Sequence, residues 1–167
     1  EMSFVKGEDV MVMMEDVMAE TLKAVGVEHA FPLQRMQYSE AMDRFGCDRP
    51  DIRFGMELVD LTDIVKDCGF KGFSSVAQSG GLVKCINAKG AGDWSRGEIE
   101  KLADIAAANG AKGMAWLQFP AEGGVKSSIA KFFSDENIEA IKKAAEVEAG
   151  DLLLFVADKP SVVAASL

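Results

Sequence analysis

The chain of 167 residues is 49% hydrophobic, 27% charged and 8% aromatic, a globular composition that excludes a disordered tail, a collagen-like repeat and a coiled coil. A chain this long buries roughly 70% of its unfolded surface, enough for a core. Its 18 Lys and Arg against 27 Asp and Glu leave a net charge of −9, which excludes nucleic-acid binding by bulk charge, because phosphate contacts need clustered cations.

The charge is unevenly spread. Residues 1–68 carry 7 basic and 15 acidic groups, whereas residues 69–167 carry 11 and 12, and eight of the nine Met lie at or before Met56. This shift predicts two compositionally different pieces joined near Gly69. Cys47, Cys68 and Cys85 are odd in number and form no C-x-x-C pair. With a single His in the chain no zinc site is expected, and a reduced, cytosolic setting is the simpler reading. No apolar run reaches the roughly 18 residues of a membrane span, and no basic segment leads into an apolar one as in a secretory signal. A first residue of Glu rather than Met suggests a piece of something longer.

In chain order, residues 1–5 alternate polar and apolar side chains and predict a strand. Val10, Met14, Val17, Met18, Leu22 and Val25 then recur at helical spacing, predicting a helix over 8–25 with Gly26 as its cap. Its Met-rich stripe is either a pliable binding surface or a face packed on a sheet or a second subunit. Residues 27–37 read as a connector. Two helical turns over 39–45 stop at Gly46, and a short helix is expected over 60–68. Beyond Gly69, 70–77 and 82–88 read as strands joined by a hairpin at Gly80-Gly81. Ser95-Arg96-Gly97-Glu98 is a capping box opening a helix to about Asn109. A strand follows over 112–119, then a Ser134-capped helix, then a buried strand over 151–157. The expected class is α+β: a four-stranded sheet with two helices on one face, a two-layer sandwich.

The chemistry-bearing motifs are few. There is no G-x-S-x-G, P-loop, H-E-x-x-H or G-x-G-x-x-G. Gly90-Ala91-Gly92 before a helix has the form of a phosphate-binding turn, but Asp93 within it would repel phosphate. His29 lies in the connector with no evident partner. Asp48, Arg49, Asp51 and Arg53 form the best candidate site: two carboxylates and two guanidiniums within six residues either hold a polar substrate or satisfy one another and clamp a loop. Trp94 and Trp116 are either base-stacking platforms or edges of the core. Lys71, Lys84, Lys89, Lys112, Lys126 and Lys131 are spread along the second piece, and their spacing does not say whether they share a face.

The stretch Phe31-Pro32-Leu-Gln-Arg35-Met36-Gln-Tyr38-Ser-Glu40-Ala41-Met42, followed by Phe45-Gly46-Cys-Asp48-Arg-Pro50-Asp51-Ile-Arg53-Phe54-Gly55, resembles bacterial-type aspartyl-tRNA synthetases. Glu1-Met2-Ser3-Phe4-Val5 is similar to the last strand of that family's class II motif 2. Ile-Ala-Lys-Phe-Phe at 129–133 and Gly150 to Asp158 resemble its GAD-type insertion domain, which some tRNA-dependent amidotransferases share. Cys47, Arg49 and Gln37 depart from the family's Ser, Lys and Thr, and Arg49 keeps the charge with a different geometry.

The resemblance implies a division into a segment of the class II catalytic domain over 1–68, the insertion domain over 69–160, and a return toward the catalytic domain over 161–167. It places Glu1 and Ser3 near the active site and gives Asp48, Arg49, Asp51 and Arg53 a supporting role in the loop. The parent enzyme of such a segment uses ATP and magnesium, charges tRNA with aspartate through an aspartyl-adenylate, and is a cytoplasmic homodimer with no membrane attachment. The motif 2 and motif 3 arginines of that reaction fall outside these residues. The chain alone is therefore expected to be inactive, to hold no metal or cofactor of its own, and to bind tRNA no better than about 10⁻⁴ M. An amidotransferase subunit or a freestanding binding module are the other readings.

Overall fold

The computed structural model describes residues 2–167. Its contacts divide them into two compact units, residues 2–37 and Tyr38–Leu167. In the first, helix α1 spans Gly7–Ala24, and the Asp9 carboxylate accepts from the Lys6 amide at its start. Arg35 returns to α1, donating to both carboxylate oxygens of Glu8 at 2.7 and 2.6 Å and lying 3.6 Å from Glu15. No residue of α1 is buried. The strand expected over residues 1–5 does not form in the described part. Phe4 has a φ of 59°, a left-handed backbone that cannot continue an extended strand, and Glu1 lies outside the described residues.

The second unit is a four-stranded antiparallel sheet in the order β1-β2-β4-β3, with β1 Val59–Asp60, β2 Leu82–Ala88, β3 Met114–Phe119 and β4 Asp151–Asp158. Around it lie α2 Tyr38–Phe45, α3 Thr62–Val65, α4 Lys71–Gln78, α5 Arg96–Ala108, α6 Asp135–Ala144 and α7 Pro160–Ser166. The mixed class and the four strands are as expected. The identity of one strand is not. The stretch expected as a strand over 70–77 instead falls on α4 and its N-cap Phe70, because Phe70, Phe73 and Val76 recur every three residues and Phe73 is thereby turned into the core. The edge position is taken instead by β1. Gly80-Gly81 accordingly ends a helix, not a hairpin: Gly80 has a φ of 81°, and a side chain on Gly81 would meet Val76 at 2.5 Å.

Strand alternation sorts the core into two faces. Val83, Cys85, Leu117, Phe119, Leu153 and Phe155 pack with Leu61 and Val65 around α3, Phe73 of α4 and Ile141 of α6. Leu152, Leu154 and Val156 pack on the opposite face against Ile99 and Ala106 of α5 and Val163 of α7. The expected two helices on one face are thus corrected: α5 and α6 lie on opposite faces. The run Leu152–Val156 is wholly apolar because both of its sides are covered. Burying Phe155 alone stabilises by about 1.5–3 kcal/mol.

The helix starts follow their caps. Ser95 accepts from the Glu98 amide while Glu98 accepts from the Ser95 amide at 2.8 Å, and the Asn137 amide donates to Ser134 at 3.1 Å. At the start of β4 the buried Asp151 carboxylate accepts from the Glu148 amide (2.9 Å), Asn87 Nδ2 (3.0 Å) and the Gly90 amide (3.1 Å). Burial alone would raise its pKa, but these donors outweigh it and hold the carboxyl below the usual carboxylate range. The stability it confers is present above its unfolded value of 3.8 and is lost as pH falls through the lowered folded value. Asp151→Asn should cost about 1–3 kcal/mol at neutral pH, with the gap to the unaltered chain closing in acid. Urea melts at neutral and strongly acidic pH check both the size and the direction.

Candidate functional site

Residues 46–57 of the sheet unit form a loop whose two ends are tied together. Arg44 in α2 donates to Glu57 through Nε (2.7 Å) and Nη2 (2.5 Å), and to Glu40 one turn earlier at 2.6 Å. The Leu58 amide donates to the Arg44 carbonyl at 2.7 Å. This fork-to-fork pair pulls the Arg44 pKa up and the Glu57 pKa down. Gly46 follows α2 with a φ of 69°, and a side chain there would meet the Ala164 carbonyl of α7 at 2.7 Å. Only glycine permits both the left-handed turn and that approach.

The base of the loop is fixed to the sheet by Lys84. Its residue is 3% exposed, and its ammonium donates to the Asp43 carbonyl at 2.7 Å and to the Asp43 carboxylate. The Asp43 carbonyl lies in the last turn of α2, where a cation also complements the helix dipole. A charge so deeply buried is sustained only by such partners.

The four sequence-predicted loop residues do not converge. Asp51 caps the 3-10 turn Ile52–Phe54, accepting from the Arg53 amide (3.1 Å) and from Arg53 Nε (2.8 Å) and Nη2. Those contacts hold its carboxyl at about 2. Arg49 approaches Asp48 only at 3.8 Å, with side chains 94% and 66% exposed. Among the described residues no ion pair or hydrogen bond joins this pair to Asp51–Arg53. One half of the cluster is therefore a self-satisfied clamp, and the other half is presented to solvent beside exposed Ile52 and Phe54. Ser3 is exposed in the first unit, and Glu1 lies outside the described residues.

The remaining candidates resolve as follows. His29 Nδ1 lies 2.7 Å from the neighbouring Ala30 carbonyl, with no carboxylate partner among the described residues. Trp116 packs in the core beside Leu152 and Leu154, whereas Trp94 is partly exposed. The Gly90–Gly92 turn does receive an anion, but it is the chain's own Asp151, and the Gly92 amide donates to the Gly150 carbonyl. Among the described residues no three His, Cys, Asp or Glu come together as metal donors. The three cysteines are unpaired, and burial pushes the Cys85 thiol up to about 12. Among described residues no helix is long and apolar enough to cross a membrane.

Sequence reasoning missed Asp43 and Glu57, and it named Lys84 only as one of several scattered lysines. A Lys in an otherwise apolar strand was the available signal for Lys84, and the i,i+4 spacing of Glu40 and Arg44 the signal for the ties around α2. With Arg53→Ala, which removes the guanidinium but keeps the backbone amide donor, the Asp51 pKa should rise from about 2 toward its ordinary value; carboxyl-carbon NMR titrations of both forms measure the shift directly.

Residues 73–167 match the GAD domain family. Over the whole chain, 55% of residues are identical to an aspartate–tRNA(Asp/Asn) ligase of Heliobacterium modesticaldum and 52% to one of Anoxybacillus flavithermus, each match covering 28% of the relative's length. An aspartate–tRNA ligase of Ruminiclostridium cellulolyticum is 51% identical over 98% of this chain, again across 28% of its own length. The chain thus spans little more than a quarter of these relatives, and on the match through its sheet and helices it belongs to the GAD domain family.

Proposed function

We propose that the chain works as an internal section of an aspartate–tRNA ligase. The observation that carries this is the match along the entire chain, residues 1–68 included, to relatives bearing that name. An amidotransferase subunit would account for the GAD domain but not for the likeness across the preceding residues. In this reading residues 1–68 belong to the class II catalytic domain, 69–160 to the insertion domain, and 161–167 lead back toward the catalytic domain. Glu1 and Ser3 stand near the active site, and Asp48 and Arg49 are the side chains the loop offers to the rest of the enzyme. Asp51 and Arg53 hold its shape.

The longer protein joins aspartate to tRNA with ATP and magnesium, in the cytoplasm and as a homodimer. The described residues do not fit an ATP–magnesium site of their own: no metal-donor group assembles, and the glycine turn ahead of α5 already gives its Gly90 amide to Asp151. The exposed apolar residues of α1, among them Val10, Met14, Val17 and Met18, are the kind of patch that other protein covers, which supports a larger assembly.

The chain alone should catalyse no aspartate-dependent exchange of pyrophosphate into ATP, while the longer protein encoded around it should do so and charge tRNA with aspartate. Exchange by the pure chain would refute the first statement. Failure of the longer protein to charge tRNA would refute the second.

A further inference from the structure

A groove of about 660 Å³ opens on the sheet face that carries α4, within the size range of ligand sites. The start of β3 contributes to its lining, and Phe70, Val76, Ile129 and Phe132 supply apolar surface. Lys71, Lys112 and Lys131 also line it, with no Asp or Glu among the described lining residues. The nearest recorded carboxylate is Asp158, 3.9 Å from the Lys112 ammonium. In a chain of net charge −9 this is a local inversion of sign, and three lysines scattered along the sequence of the second piece share one place.

The groove also lies beside an open sheet edge. β3 is the outermost strand. At one end its edge is paired: Gln118 exchanges both backbone hydrogen bonds with Lys126 at 2.9 Å, and the Trp116 carbonyl accepts from the Ser127 hydroxyl at 2.6 Å. Ser127 then accepts from the Ile129 amide, and the chain leaves the edge for the 3-10 turn Ala130–Phe132. Outward-facing backbone groups alternate along an antiparallel strand, so Met114 is the next residue facing outward. Among the described residues no strand pairs with it there, and Met114 itself lines the groove.

We infer that this groove binds an extended acidic peptide segment. Its backbone continues the edge pairing at Met114, its apolar side chains pack on the half-buried Phe70 and Val76, and its carboxylates meet Lys71, Lys112 and Lys131. A single-stranded nucleic acid carries the same charge but suits the site less well. Phe70 and Phe132 pack on each other at 5.5 Å and Lys131 lies over the Phe132 ring at 5.2 Å, which leaves less ring face for base stacking, and bases offer no strand to an open edge.

The test uses the 167-residue chain and a fluorescein-labelled peptide of alternating glutamate and leucine, followed by polarisation and by amide shifts. Saturable binding is expected, with shifts at Met114 and Trp116. The combined Lys71→Glu, Lys112→Glu and Lys131→Glu variant should bind about tenfold or more weakly. All three lysines are exposed, so an unchanged circular dichroism spectrum is expected and separates lost binding from lost folding; single-lysine variants serve if the triple variant unfolds. No saturable binding, equal affinity in the folded variants, or tighter binding of an oligouridylate than of the peptide would each overturn the inference. None of these outcomes bears on the ligase reading, which rests on the sequence match along the whole chain and is tested separately by pyrophosphate exchange and tRNA charging.

Discussion

An ammonium group placed within a packed sheet must be met by oxygen, and in this chain Asp43 supplies it. Lys84 sits on β2 between Asp60 of β1 and Val156 of β4, where solvent cannot reach it. Its carbonyl and carboxylate partners both belong to Asp43, so burying the charge requires α2 to lie against the sheet in one position. The base of the candidate site follows from that placement. Arg44 is brought opposite Glu57, Gly46 is brought onto Ala164, and the loop between them leaves and returns at a fixed base.

The loop itself divides its labour between shape and presentation. Asp51 and Arg53 neutralise each other and set the 3-10 turn, whereas Asp48 and Arg49 remain solvated. Four charges close in sequence therefore do not amount to one site. One pair thus fixes the turn, and the other is left facing solvent.

Much of the sheet unit was legible in the sequence because its signals are local. The capping box at Ser95, the cap at Ser134, the strands at 82–88 and 151–157 and the glycine stop at Gly46 each depend on residues a few positions apart. Phe70–Ala77 was misread because Gly72, Ser74 and Ser75 dilute the helical period that Phe70, Phe73 and Val76 carry. The two-sided cover of β4 was written in its unbroken apolar run, which a sheet with helices on one face would not need. What sequence could not supply was long-range partnership. Lys84 finds Asp43 across 41 positions, and Lys71, Lys112 and Lys131 gather only when the chain folds.

The claim that Lys84 sets the position of the loop is tested most directly by amide hydrogen exchange on Lys84→Met, which keeps the apolar stem and removes the ammonium. The account predicts faster exchange in α2 and at Leu58, with Leu152 to Val156 retaining their protection because both faces of β4 stay covered. Unchanged protection in α2 and at Leu58 would show that the loop is held by other contacts and would contradict the account.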